Sequence, residues 1–325
     1  MRQLLLPIHL FLLALCYACL LNQFVGPNAT TLFQFLALGF PILIFINTLL
    51  IFLWIFIKAK YALFFLVASS LLVIPLNRIY HFYGKEKVVK PNFKVLSYNV
   101  HYFFDNQAGI KEMLKEESPD LIFLQEIGAD AESVLPPDEK YYTSNFTWWG
   151  IASKYPIIEI NRAFDKKEKI ECFYADIKVH GDTIRAINVY LESFHIEKKL
   201  VKGLMEKKSF KPNAATIYQN LNKAFKIHQR EINLIQKFIE QSPHPVIVGG
   251  DFNAVPNSYE YFKIKKGLKD TFVAGGSGLG TTFHNYKFPI KIDYIFLDPR
   301  FQTASFEVKR VDYSDHFPIL AEIKL

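Results

Sequence analysis

Three stretches near the amino terminus contain no Lys, Arg, Asp or Glu: residues 4–21, 32–57 and 61–76. A helix needs about 20 predominantly apolar residues to cross a bilayer, so the first two are long enough and the third is short. A cleaved signal peptide is the competing reading of the first, since Arg2 precedes the apolar run, but no small-x-small site followed by polar sequence appears. Cys16 and Cys19 likewise lack the neighbours of a lipoprotein site. A buried helical hairpin competes for the other two, and 26 uncharged residues in the second make it a poor fit. The pattern therefore predicts an anchor of about three helices over residues 1–80. Arg2 and the Lys58-Ala-Lys60 connector are basic, whereas the first loop, "NQFVGPNAT", is uncharged. That places the amino terminus and the connector in the cytoplasm and sends the rest of the chain to the non-cytoplasmic side. Arg78, Lys85, Lys87 and Lys90 pull the other way.

From about Pro91 the pattern changes to short apolar or alternating runs separated by turn residues. Strands are predicted over 93–100, 120–126, 170–179, 183–191, 245–251, 292–298, 307–312 and 318–325. "HGD" between the third and fourth predicts a hairpin turn. Ile217, Leu221, Ala224, Phe225, Ile232, Ile235 and Phe238 recur at three- and four-residue steps and predict a helix over 214–239, with a shorter one over 109–117. Many strands, few helices and a central hairpin indicate an α/β domain, residues 91–325, with two packed sheets and helices outside rather than a doubly wound parallel sheet.

Composition adds little to this division. Half of the 325 residues are hydrophobic, with the excess before Leu76. Two of the three cysteines lie in the first apolar segment, so no disulfide framework is available. The net charge of +7 suits phosphate-rich partners or the vicinity of anionic lipid headgroups. Much of it falls between Glu197 and Arg230, which reads equally as a phosphate- or membrane-facing surface and as a solvated basic face. Trp148 and Trp149 read as core or interface rather than as a base-stacking platform. "GGSGLGTTF" lacks the P-loop pattern and reads as a flexible connector.

The candidate chemistry lies where apolar strands end in polar residues. "LSYNV" ends with Asn99, "LIFLQE" with Glu126, "VIVGGDFN" with Asp251 and Asn253, and Asp315 and His316 open the last strand. Each alone is explicable as a cap, turn or surface charge. Together, at one sheet edge, they supply oxygen ligands for a hard divalent cation that keeps open positions for a substrate phosphate.

In order and separation, "LSYNV", "LIFLQE", "GGDFNAVPNS", "IDYIF" and "YSDHFPI" resemble the endonuclease/exonuclease/phosphatase superfamily, here as a membrane-anchored bacterial type. The resemblance covers 91–325 and none of the preceding region. It implies a four-layered α/β sandwich and Mg2+-dependent hydrolysis of a phosphoester, with Mn2+ as a substitute ion. It implies a metal site of Glu126, Asn99 and Asp315, and Asp251 as the group that orients or deprotonates water. Asn253 would hold the water and phosphoryl oxygens, and His316, paired with Asp293, would contact the phosphate. Tyr190 stands where many members have a histidine. A phenol with an ordinary pKa of ~10 is a donor rather than a neutral-pH base.

Substrate-binding roles fall to Asn99, Asn253, His316 and Tyr190. The expected substrate is a phosphodiester, of nucleic acid or a phospholipid headgroup, and no protein partner is expected. The expected setting is a multi-pass protein of a bacterial inner membrane. A membrane-bound binding module with a decayed site is the alternative, with Tyr190 its only support.

Overall fold

The computed structural model describes residues 2–82, 89–128, 131–136, 141–145, 148–165, 170–196, 210–285 and 290–325. Helix α1 (Arg2–Ala18) and helix α2 (Leu32–Ser69) are followed by the short α3 (Val73–Leu76). Two segments, Leu4–Gln23 and Leu32–Leu76, are long and apolar enough to cross a membrane. The second is twice the length of one crossing, and Lys58 explains how it is accommodated. Its backbone leaves helical geometry (φ −167°, ψ 97°). Across that break Asn47 donates to the hydroxyl of Ser69 at 3.0 Å. In a straight helix those residues would stand about 33 Å apart. The chain thus doubles back within the Lys58-Ala-Lys60 connector, and α1 packs alongside: His9 lies against Phe65 and bonds Asn47, and the Trp54 indole donates to His9.

Chain exit from the bundle runs through β1 (Tyr80–His81). Next come β2 (Phe93–Asn99), α4 (Gln107–Glu117), β3 (Leu121–Gln125), β4 (Tyr141–Asn145) and β5 (Trp149–Ser153). A meander β6 (Ile157–Asp165), β7 (Ile170–Val179) and β8 (Asp182–Tyr190) leads to the long helix α5 (Phe210–Glu240). The chain closes with β9 (Val246–Asp251), α6 (Tyr259–Lys265), β10 (Lys269–Asp270), α7 (Thr271–Gly275), β11 (Gly278–Leu279), β12 (Asp293–Leu297), β13 (Gln302–Val308) and β14 (Ile319–Lys324).

Two six-stranded mixed sheets result, in the orders β13-β14-β2-β3-β5-β4 and β10-β12-β9-β8-β7-β6. Side chains alternate between faces along a strand. In β2 and β3, Phe93, Val95, Leu121 and Phe123 face the other sheet, while Leu96, Ile122 and Leu124 pack with Ile110 and Leu114 of α4. In β9 and β12, Ile247 and Ile295 face inward, while Val248 and Phe296 pack with Ile232, Ile235 and Tyr261 of α5 and α6. The four layers are therefore α4, sheet, sheet, and α5 with α6, as the resemblance implied.

Three sequence expectations need correction. The strand expected at 307–312 is β13, Gln302–Val308, whose Ala304 and Phe306 are the buried positions. Strands β4, β5 and β6 were not foreseen, because two of them sit beside loops and their apolar runs are short. The "GGSGLGTTF" stretch is not merely a connector: Gly278 and Leu279 pair with His81 and Tyr80, pinning the segment that leaves the helical bundle. The hairpin turn does form, with His180 and Gly181 both at positive φ, as a two-residue primed turn requires.

Candidate active site

The inward face of the strands changes character at one edge. Along β2 the inward series Phe93, Val95, Ser97 ends in Asn99; along β9 Ile247 and Gly249 precede Asp251; along β8 Ile184, Ala186 and Asn188 precede Tyr190. Register then lines the polar ends up. Tyr190 stands opposite Asp251 in the parallel β8–β9 pair, and Asp293 stands opposite Asp251 in the antiparallel β9–β12 pair. Close packing beneath this edge requires the two glycines before Asp251, Gly249 where the two sheets approach and Gly250 where β9 runs beside β8. A Cβ on Gly249 would lie 2.4 Å from the Phe123 ring, and Gly250 (φ +147°) has its missing Cβ directed at the Val189 carbonyl. Below the site Gln125 donates to Asn188 at 2.7 Å, and Asn188 donates to the carbonyls of Leu124 and Gly150, a buried amide tie between the sheets. Neither residue is evident from sequence; the only signal is a polar residue inside an apolar strand run.

A continuous set of contacts joins the predicted residues. Tyr190 donates to Glu126 at 3.0 Å. The Asn99 amide donates to Glu126 and to Asp251, both at 3.1 Å. His316 lies between two carboxylates, with Nδ1 3.0 Å from Asp293 and Nε2 3.7 Å from Asp251. Asn253 donates its backbone N–H to Asp251 at 2.8 Å and its side-chain amide to the Leu191 carbonyl at 2.9 Å. Asp315 stands apart at the rim: it accepts from Asn285 and lies 4.0 Å from Nδ1 of His101. Trp149 packs against the inter-sheet core, whereas Trp148 is 48% exposed and stacks beside Tyr190, so the two tryptophans divide between core and site mouth.

Backbone strain marks the same place. Glu126 (φ 53°), Asn253 (φ 43°) and His101 to Phe103 (φ 46–58°) all adopt left-handed conformations that non-glycine residues rarely take. Glu126 is held there because its N–H donates to the Trp148 carbonyl and its own carbonyl accepts from Tyr102.

Burial and neighbouring charge decide the protonation states. Burial pushes the Asp251 carboxyl up to about 7; the His316 charge opposes this and Asp293 adds to it. Burial disfavours the charge on His316, yet Asp293 and Asp251 outweigh it and raise its pKa to about 10. The imidazolium is thus the resident cation of the site. The Tyr190 phenol is raised, by burial and then by the charges of Glu126 and Asp251, so it remains a neutral donor.

Asp251, Asp293 and His316 have ligand atoms within 4.8 Å of one another. With Glu126 and Asp315 added, the edge holds four carboxylates against one imidazolium, and Oδ1 of Asp293 is buried without a hydrogen-bond partner among the described residues. A hard divalent cation fits this all-oxygen, net-negative set. Two carboxylates already balance the His316 charge, and Glu126 and Asn99, at the other end of the contact chain, are further groups that could hold a cation.

The Endonuclease/Exonuclease/phosphatase family model matches residues 96–316. The chain belongs to this family. A second model, a domain of unknown function, matches residues 2–79. No curated protein matches the chain. Among solved structures, a D. rerio TDP2 complexed with a single-strand DNA product aligns with a TM-score of 0.54 at 16% identity, covering 72% of this chain and 99% of that one. A Bacteroides vulgatus member of the family gives 0.54 at 18% identity, covering 73% and 100%. A Bacteroides thetaiotaomicron mannosyl-6-phosphatase gives 0.53 at 18% identity, covering 72% and 100%. As a member of this family the chain is a hydrolase acting on ester bonds, and the structural neighbours share its fold.

Proposed function

We propose that this chain is a membrane-anchored, Mg2+-dependent hydrolase of phosphodiesters that works by in-line attack of water. The observation that carries this reading is the unbroken chain of contacts from Tyr190 through Glu126, Asn99, Asp251 and His316 to Asp293. Glu126 and Asn99 would hold the cation, with Asp315 at the rim; Mg2+, or Mn2+ in its place, polarises a phosphoryl group when bound. Asp251, fixed by the Asn253 N–H and the Asn99 amide, orients water and accepts its proton. Nε2 of His316 makes no hydrogen bond among the described residues and is free to donate to a phosphoryl oxygen as charge develops there. Tyr190, which donates to Glu126, orients that carboxylate.

Nucleic acid and phospholipid remain the two phosphodiester classes. The DNA product bound by the D. rerio relative favours the first. The second is favoured by the anchor: Asn257, six residues past Asp251, bonds Asn22, Arg78 and the Pro75 carbonyl, which brings the site close to the membrane end of the helices. Arg2 and the Lys58 break lie at the other end of the bundle, and by the positive-inside tendency they favour a catalytic domain on the non-cytoplasmic side, against the pull of Arg78, Lys85, Lys87 and Lys90.

The test is hydrolysis by the full chain in detergent. Bis-p-nitrophenyl phosphate, plasmid DNA and phospholipid vesicles are incubated with Mg2+ and with chelator. Asp251→Asn keeps the shape and the hydrogen-bond acceptor but cannot take a proton, so kcat should fall by about 10³-fold, within the range for removal of a general base. Turnover by Asp251→Asn equal to wild type would remove this mechanism, and no turnover of any ester would favour the binding-module reading.

A further inference from the structure

Beyond the site itself, a buried polar assembly joins the helical bundle to the catalytic domain. Gln34, in the first turn of α2, donates its side-chain amide to Oε2 of Glu260 at 2.8 Å and accepts from the Tyr259 N–H at 3.2 Å. Oε1 of Glu260 faces Nδ1 of His228 at 3.0 Å, and Nε2 of His228 faces the Glu192 carbonyl at 2.7 Å. A carbonyl only accepts, so Nε2 carries hydrogen. Burial opposes charge on His228, but its hydrogen bond to Glu260 and the charges of Glu260 and Glu231 outweigh this and raise its pKa. Burial alone would raise the Glu260 pKa; His228 outweighs it and leaves it lowered. The pair is therefore ionic and wholly buried, with Gln34 supplying one of its few remaining bonds.

What His228 grips is the chain just beyond Tyr190. Residues 191–196 have left the sheet, and their backbone is the frame on which the catalytic loop hangs. The Leu191 N–H donates to the Asp251 carbonyl at 3.1 Å, and the Leu191 carbonyl accepts from the Asn253 side chain at 2.9 Å. Asn253 in turn sits at a left-handed φ and bonds Asp251. Such conformations persist only where surrounding bonds over-determine them.

We infer that Gln34, Glu260 and His228 are positioning residues for Asp251 and Asn253. The helical bundle is then a working part of the catalytic centre rather than a tether. Gln34 and Glu260 are 226 positions apart in the chain, so only the docked bundle completes the relay. A catalytic group displaced by about 1 Å can lose up to two orders of magnitude in rate, so a loosened Leu191–Glu192 frame should appear in kcat. This inference rests on the hydrolase reading for its kinetic consequence only.

The test compares Gln34→Met, which keeps volume but loses both bonds, with Thr31→Val, which removes another helix-to-domain bond, from Thr31 to Asn222 at 2.7 Å, outside the relay. Both are made in the full chain in detergent. Gln34→Met should lower kcat on bis-p-nitrophenyl phosphate about tenfold with KM changed less than twofold, and should speed amide hydrogen exchange in peptides covering 190–193 and 251–254. Thr31→Val should do neither. Exchange at wild-type rates in Gln34→Met, or equal losses in Thr31→Val, would overturn the relay. Absence of any esterase activity in wild type would instead sink the hydrolase reading, and the exchange measurement would still decide the relay.

Discussion

Two buried histidines of the catalytic domain have raised pKa values, and each faces a carboxylate through Nδ1 at 3.0 Å: His316 with Asp293 and His228 with Glu260. They differ at the other nitrogen. Nε2 of His228 ends on a backbone carbonyl at 2.7 Å, so its bonding capacity is spent. Nε2 of His316 makes no hydrogen bond among the described residues, and the Asp251 carboxylate stands 3.7 Å away, beyond hydrogen-bond length. A buried imidazolium with both donors used is a fixed strut. One with a donor left over is poised for a ligand, and the difference in chemistry comes from that single unspent N–H.

The sharpest way to break the comparison is His316→Gln. Glutamine can still bond Asp293, and Asp251 can take up a proton in place of the lost counter-charge, so the domain should lose less stability than a buried pair broken outright. Loss of the cation aimed at developing charge should cost kcat about 10²- to 10³-fold. The pH profile should change as well. Wild-type activity should rise as Asp251 deprotonates through about pH 7 and fall as His316 loses its proton near pH 10. In His316→Gln the falling limb should vanish. The rising limb should move above pH 7, because the charge that opposed the upward shift of Asp251 is gone. A profile unchanged by the substitution would mean that His316 does not titrate in turnover.

Glu260→Ala probes the other histidine and should invert the pattern. It leaves buried His228 without the carboxylate it is hydrogen-bonded to and Gln34 without its acceptor, a loss of about 3 kcal/mol or more in stability by analogy with other broken buried pairs. Thermal unfolding of the full chain in detergent should show a clear fall in midpoint, larger than that of His316→Gln. A fall of equal size in both would show that the two pairs are equivalent struts.

These two regions were unequally legible in the sequence. Asn99, Glu126 and Asp251 each close an apolar run and His316 precedes one; the pleat leaves Asn99 and Asp251 on the inner face, whereas Glu126 lies just past β3 at a left-handed φ, out of step with the alternation. Their convergence follows from register: Tyr190, Asp251 and Asp293 occupy one row. Helix α5 was visible from its spacing, although it begins at Phe210 rather than Ala214. The lysine-rich stretch from 197 to 209 lies outside the described residues; Lys223 and Lys226 lie on exposed positions of α5. Nothing in the sequence marked Gln34, His228 or Glu260. Each sits in an ordinary amphipathic or apolar helix, and their pairing is a product of docking two parts of the chain that no local pattern relates. Strands β4 to β6 were missed for a similar reason, since pairing with neighbours, rather than strong alternation of their own, defines them.

Tyr190 offers the finest test of what an unspent donor contributes. Its hydroxyl is committed to Glu126 at 3.0 Å, so by the histidine comparison it belongs with the struts more than with the chemistry. Its raised pKa keeps it protonated across the working pH range, which excludes it as a base. Tyr190→Phe removes one hydrogen bond to a carboxylate that keeps another from Asn99. The expected loss in kcat is about three- to tenfold, the scale of one ordinary net hydrogen bond of about 1 kcal/mol, because Asn99 still holds Glu126, with both limbs of the pH profile in place. A loss approaching that of His316→Gln would move Tyr190 from orienting Glu126 to donating to the substrate itself, and the phenol would then fill the part that a histidine plays in many members of the family.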